Sequence, residues 1–81
     1  MDKIILKTFT DSSVIKIAMW NISTQDMIVV FNSGSVWCYS KIPSYVWQEF
    51  IDSKSAGNYF NNMIRGKYDD TCLYKPGVQV V

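Results

Sequence analysis

The hydrophobic period of this chain changes once, near Pro43, and that change constrains its fold more than any other feature. Before it, apolar residues recur at every second position; after it, they recur every three or four positions. A period of two describes strands with one buried face, and a period near 3.6 describes amphipathic helices. The chain therefore reads as strands first and helices second, the order of an α+β domain.

Residues 14–20 alternate, with Ile15, Ile17 and Met19 on one face and Lys16 and Ala18 on the other. Residues 21–26 hold no hydrophobe except Ile22 and read as a hairpin connection. Met27–Phe31 is a dense β-branched and aromatic run, suited to a central strand. The Asn-Ser-Gly-Ser turn of residues 32–35 follows, where Gly34 supplies the positive φ of a tight hairpin. Residues 36–40 return as a third strand with Trp37 and Tyr39 on one face and Val36 and Cys38 on the other; Cys38 is expected as a small core residue. Ile4, Ile5 and Leu6 form a candidate short first strand, and Asp11, Ser12 and Ser13 a turn.

Pro43 suits the first turn of a helix, because its missing N–H costs nothing there. Tyr45, Val46, Trp47, Phe50 and Ile51 then give an amphipathic helix of about ten residues. Asp52 and Ser53 break it, and Ser53 or Ser55 caps a second helix over residues 53–66 that Gly66 terminates. Ala56, Tyr59, Phe60, Met63 and Ile64 form its buried stripe. Residues 69–81 read as a tail whose end, Val-Gln-Val-Val at 78–81, is a candidate edge strand for this or a partner subunit. The predicted fold is a three-stranded antiparallel meander, with that terminal strand as its possible extension, followed by two helices packed on one face. Residues 1–81 make a single domain.

Lys54, Asn58, Asn61 and Arg65 fall at i, i+4, i+7 and i+11, a second helical stripe of donors and amides without a carboxylate. Such a face receives an anion. Lys54, Ser55 and Gly57 cluster where the helix begins, where free N–H groups and the helix dipole attract phosphate. Trp37 and Tyr39 at i, i+2 would make a stacking platform for bases; the competing reading packs them beneath the helices. The expected ligand-binding residues are Lys54, Ser55, Asn58, Asn61, Arg65, Trp37 and Tyr39.

Eight Lys and Arg oppose seven Asp and Glu, a net charge of +1. Non-specific binding to long nucleic acid needs a clear positive excess, so a small anion fits better than an extended polymer. The chain has no His, which removes the commonest general base and metal ligand, and two Cys alone make neither a zinc site nor a Cys–His nucleophile. No catalytic residue, metal or cofactor is expected. Cys38 and Cys72 are expected as free thiols of a soluble cytoplasmic protein, because no leader precedes them and no apolar run approaches the roughly 18 residues of a membrane span. Aromatics make up 15% of the 81 residues; that surplus, the small size and the strand-like tail predict a homo-oligomer.

These residues together resemble the KTSC domain family. The likeness runs from Ser12-Ser13-Val14-Ile15 through Val29-Val30-Phe31-Asn32-Ser33-Gly34-Ser35-Val36 to Ile42-Pro43. It ends in the most specific block, Ser53-Lys54-Ser55-Ala56-Gly57-Asn58-Tyr59-Phe60-Asn61 with Ile64-Arg65-Gly66-Lys67-Tyr68, so that residues 12–68 are similar throughout. The family's Tyr-x-Tyr motif here reads Trp37-Cys38-Tyr39, so the first hydroxyl is replaced by an indole N–H. The resemblance implies no catalytic residues. The family, noted at the C-terminus of some lysyl-tRNA synthetases and as stand-alone bacterial and phage proteins, carries a suggestion of RNA binding. For a phage member working in the host cytoplasm, immune evasion by sequestering a cyclic oligonucleotide signal is the analogous expectation. Two functions follow: a non-enzymatic module for short single-stranded RNA or a small cyclic oligonucleotide, or a protein-interaction module that docks a host protein through its aromatic face.

Overall fold

The computed structural model describes residues 3–76. Its strands are β1 (Ile4–Thr8), β2 (Ile15–Asn21), β3 (Met27–Phe31), β4 (Val36–Tyr39) and, after the helices, β5 (Asp70–Tyr74). Helices α1 (Ser44–Asp52) and α2 (Ala56–Tyr59) follow β4, and α2 runs directly into a π turn, Phe60–Ile64. The α+β class stands, but the three-stranded expectation falls short. The sheet has five strands in the order β1-β2-β3-β4-β5, all antiparallel to their neighbours. The strand missed in the supposed tail is β5, whose five residues are all exposed; with no buried face of its own it carries no strong periodic signal, and it forms by pairing with the free edge of β4. Residues 78–81, the candidate edge strand, lie outside the described residues.

Both helices cover one face of the sheet, and a bulge decides which residues of β2 they meet. Pairing with β3 shifts register between Ile15 and Ile17. One extra residue reverses the alternation beyond it, so Ile15, Ala18 and Trp20 are buried while Ile17 and Met19 turn to the opposite face. The simple alternation read from the sequence assigned them the other way. Met27 and Val29 of β3 and Tyr39 of β4 complete the covered side. Cys38 pairs with Ile28 on the uncovered side and is only half-buried, so it is not the core residue expected.

From the helices, Val46, Trp47, Phe50, Ala56, Phe60 and Ile64 face the sheet. Trp20 and Trp47 stack with centroids 5.9 Å apart, and the Trp20 indole donates to the Ile42 carbonyl at 2.9 Å. Phe60 takes Phe31 and Tyr39 edge-on, at 5.3 and 5.2 Å. Pro43 stands just before α1, its carbonyl accepting from Val46 and Trp47 N–H, both at 3.1 Å. Tyr45 and Met63, expected in the buried stripes, are exposed. For Met63 the cause is the π turn: Arg65 N–H reaches the Phe60 carbonyl at 2.8 Å, and this wider i→i+5 turn carries Met63 into solvent while Ile64 closes the stripe. Gly66, at φ +77°, then reverses the chain toward β5. Among the described residues no helix is long and apolar enough to cross a membrane.

Candidate functional site

The start of α2 is organised by serines. Ser55 Oγ accepts from Asn58 N–H at 3.4 Å, which makes Ser55 the helix cap that its side chain favours. Ser53 Oγ accepts from Ser55 N–H at 3.2 Å and donates to the Ser55 carbonyl at 3.0 Å. The Ser55 hydroxyl and Asn58 N–H are therefore engaged with each other rather than offered to a phosphate. Gly57 is explained by packing: a Cβ there would lie 3.3 Å from Val14 Cγ2, so its absence lets α2 sit against the loop before β2. That loop is itself tied down. Ser12 Oγ accepts from Val14 and Ile15 N–H at 3.1 and 3.0 Å, and Asn32 Nδ2 donates to the Ser12 carbonyl at 3.0 Å.

Two clefts flank this junction. The first, about 350 Å³, runs between the end of β1, the 10–14 loop and the start of α2, with Lys54, Ser55, Asn58 and Asn61 in its wall. The second, about 520 Å³, lies between the helical segment, the β3–β4 turn and β4, with Trp37, Tyr39, Asn61 and Arg65 in its wall. Ser13, Val14 and Asn61 line both. All seven residues singled out in the sequence thus lie in these walls. They do not form one site: Lys54 and Arg65 belong to different clefts, and Asn61 joins them.

Charge is mixed in each cleft. Lys7 and Lys54 accompany Asp11 in the first, and Arg65 accompanies Asp70 in the second. Tyr39 is buried, 3% exposed, with its ring held edge-on by Phe60. The reading that packs it beneath the helices holds, and it offers no free face for stacking. Burial pushes its hydroxyl up to about 12, Asp70 adds to the rise, and Arg65 opposes it; the phenol is a protonated donor at neutral pH. Trp37 is half-buried against the core, yet lines the second cleft, so it is the ring of the pair that a ligand can reach.

Sequence reasoning missed Lys7, Asn32 and Asp70 in these walls. Lys7 sits in a strand far from the helix in sequence, Asp70 in the segment read as a tail, and Asn32 passed as a turn residue. The weak signal available was the Asn32-Ser33-Gly34-Ser35 turn, part of the family-like pattern.

A family model for the KTSC domain matches residues 11–68, and the chain belongs to that family. Over 58 residues it is 38% identical to lysine–tRNA ligases of Nostoc punctiforme and Trichormus variabilis, covering 72% of this chain and 10% of each ligase. The chain thus spans a tenth of the length of these curated relatives. A crystal structure of a KTSC domain protein from Yersinia pestis is similar with a TM-score of 0.82 at 19% identity, covering 89% of this chain and 100% of that one. Both β1 and β5 fall outside the matched residues 11–68: the family segment supplies the three inner strands and the helices, and the flanks supply the two edges.

Proposed function

We propose that this KTSC domain is a non-enzymatic binding module for a nucleotide-type anion, held across the two clefts that meet at Asn61. The observation that carries the reading is this convergence: residues chosen for donor and stacking chemistry line two adjoining clefts. Lys54, with Lys7 in the wall of the same cleft, takes one phosphate, and Arg65 takes another as a planar fork. Asn58 and Asn61 contact ribose or base edges, and Trp37 lies against a base. Short single-stranded RNA is the better ligand of the two classes. The relatives carrying the same segment are ligases for lysine and tRNA, and single-stranded RNA is recognised by this combination of a ring, amides and a few cations. Sequestration of a cyclic oligonucleotide is the second form of the same reading.

Calorimetric titration with short single-stranded RNA, cyclic dinucleotides and cyclic trinucleotides tests it. Lys54→Ala and Arg65→Ala are each expected to cost about 1.5–3 kcal/mol of binding. Affinity falls with salt in proportion to the phosphates held. Absence of any nucleotide binding tighter than about 100 µM, or full affinity in both variants, overturns the assignment.

A further inference from the structure

We propose that the uncovered face of the sheet is the surface on which a second copy of this chain packs, face to face, giving a two-fold dimer with the helices outermost. The register defines this face. Leu6 of β1 pairs with Met19 of β2, Met19 with Ile28 of β3, and Ile28 with Cys38 of β4; Ile17, Val30 and Val36 form the parallel row beside them. The first row is apolar across four strands; the second is apolar across β2, β3 and β4 and meets Thr8 of β1 at its edge. Leu6, at the edge, is 58% exposed.

Charge reaches this face only toward its ends, with Asp26 acting on Cys38 at one end and Lys16 in the bulge of β2 toward the other. Lys7 pairs with Ala18 and Asp70 with Tyr39, which places both on the side the helices cover. The middle of the face, along Met19, Ile28, Val30 and Val36, offers a charged partner nothing to pair with. A second copy brings the same apolar middle, which is the self-complementarity a two-fold contact requires.

Size separates a sheet from other apolar occupants. Strands about 4.8 Å apart and rising about 3.3 Å per residue make a face of roughly 24 by 17 Å, about 400 Å² in outline. A helix about 10 Å wide would cover less than half of it. A second five-stranded sheet, packed about 10 Å away with strands near parallel, covers all of it. Two copies bury about 800 Å² in outline, more once side-chain relief is included, close to the roughly 1,000 Å² at which specific interfaces begin. The expected dimer is therefore a micromolar one. The proposal does not depend on the nucleotide reading, because the clefts lie on the covered side, and failure of either leaves the other standing.

Sedimentation equilibrium of the full chain from about 1 to 500 µM reads the association directly. The parent is expected to pass from monomer to dimer over this range, and Ile28→Lys, which sets a charge at the centre of the face, to weaken the dimer at least 100-fold. Should Ile28→Lys fail to fold, the parent's own thiols decide. Cys38 lies on the proposed interface, and Cys72, paired with Trp37 on the opposite side, is the internal control. Maleimide labelling of Cys38 is expected to slow several-fold as protein concentration rises, while labelling of Cys72 is unchanged. A parent that stays monomeric throughout overturns the proposal. So does Cys38 labelling independent of concentration, or a dimer that survives Ile28→Lys and is lost on deletion of residues 77–81.

Discussion

The two faces of the sheet come from the same strands and are both apolar, yet they are built from different kinds of side chain. On the covered face, Trp20, Trp37 and Tyr39 stand among Ala18, Met27 and Val29. The opposite face carries small apolar side chains and one thiol along Met19, Ile28, Val30, Val36 and Cys38, with a single exposed ring, Tyr74, at its β5 edge. Large rings reach from the sheet into a helical layer about 10 Å away and anchor there by stacking and hydrogen bonding. Trp20 does both, against Trp47 and the Ile42 carbonyl. Short aliphatic side chains make a smoother surface, which suits a sheet against a sheet. Rings packed into the core, rather than hydrophobicity, distinguish the roofed face from the bare one.

The sharpest way to break this contrast is to truncate one residue on each face. Phe60 is fully packed among Phe31, Tyr39 and Phe50. Phe60→Ala is expected to destabilise by about 3–5 kcal/mol, a large part of the roughly 4–12 kcal/mol a domain of this size has. Ile28→Ala, measured at sub-micromolar concentration to keep any self-association out of the comparison, is expected to cost less than about 1.5 kcal/mol. Urea unfolding of the two variants checks both values. Equal losses would mean that the two faces are equally buried, and the distinction drawn here would fail.

A smaller effect tests the anchoring itself. Trp20→Phe keeps a ring against Trp47 but removes the N–H that satisfies the Ile42 carbonyl. A buried acceptor without its donor costs about 1–3 kcal/mol, and thermal unfolding reads the loss. A cost near zero would show that packing alone positions the chain entering α1.

What the sequence disclosed follows the same division. The period change at Pro43, the hairpin at Gly34 and the cap at Ser55 were legible because each rests on local chemistry: alternation, a positive φ of 96° at Gly34, and a hydroxyl three residues before the N–H it accepts from. The side assigned to Ile17 and Met19 was not legible, since a bulge inserts one residue without any mark in composition. Nor was the exposure of Met63, which depends on a π turn that hydrophobic spacing cannot separate from an α turn. The strand β5 exists only because β4 leaves an edge open, a tertiary fact. At the candidate site, Lys54, Asn58, Asn61 and Arg65 read as one stripe of a helix over residues 53–66. The helix proper starts at Ala56 after the Ser55 cap, so Lys54 precedes it and Arg65 follows the π turn. Their division between two clefts depends on Val14 meeting Gly57, a contact that no spacing rule anticipates.

The smallest expected effect lies at high pH, where the covered face can be titrated through Tyr39. Its hydroxyl is pushed up to about 12, first by burial and then by Asp70, with Arg65 opposing; in the unfolded chain a phenol titrates near 10. Folding thus favours the neutral phenol. That contribution is fully present below about pH 10 and is lost as pH rises from there toward 12. Tyr59 and Tyr68 are also raised, each chiefly by burial, with the Tyr59 hydroxyl further held by its bond to Glu49, so the parent loses stability in this window through several phenols at once. Tyr39→Phe removes one of them. Thermal midpoints measured from pH 8 to 12 should fall less steeply in Tyr39→Phe than in the parent, and the two curves should run parallel below pH 9. Adding Arg65→Ala sharpens the assignment: without the opposing cation the Tyr39 hydroxyl rises further, so more of the alkaline loss depends on Tyr39. If Tyr39→Phe and the parent fall with the same slope, Tyr39 is open to water and the roof over β4 is looser than its burial indicates.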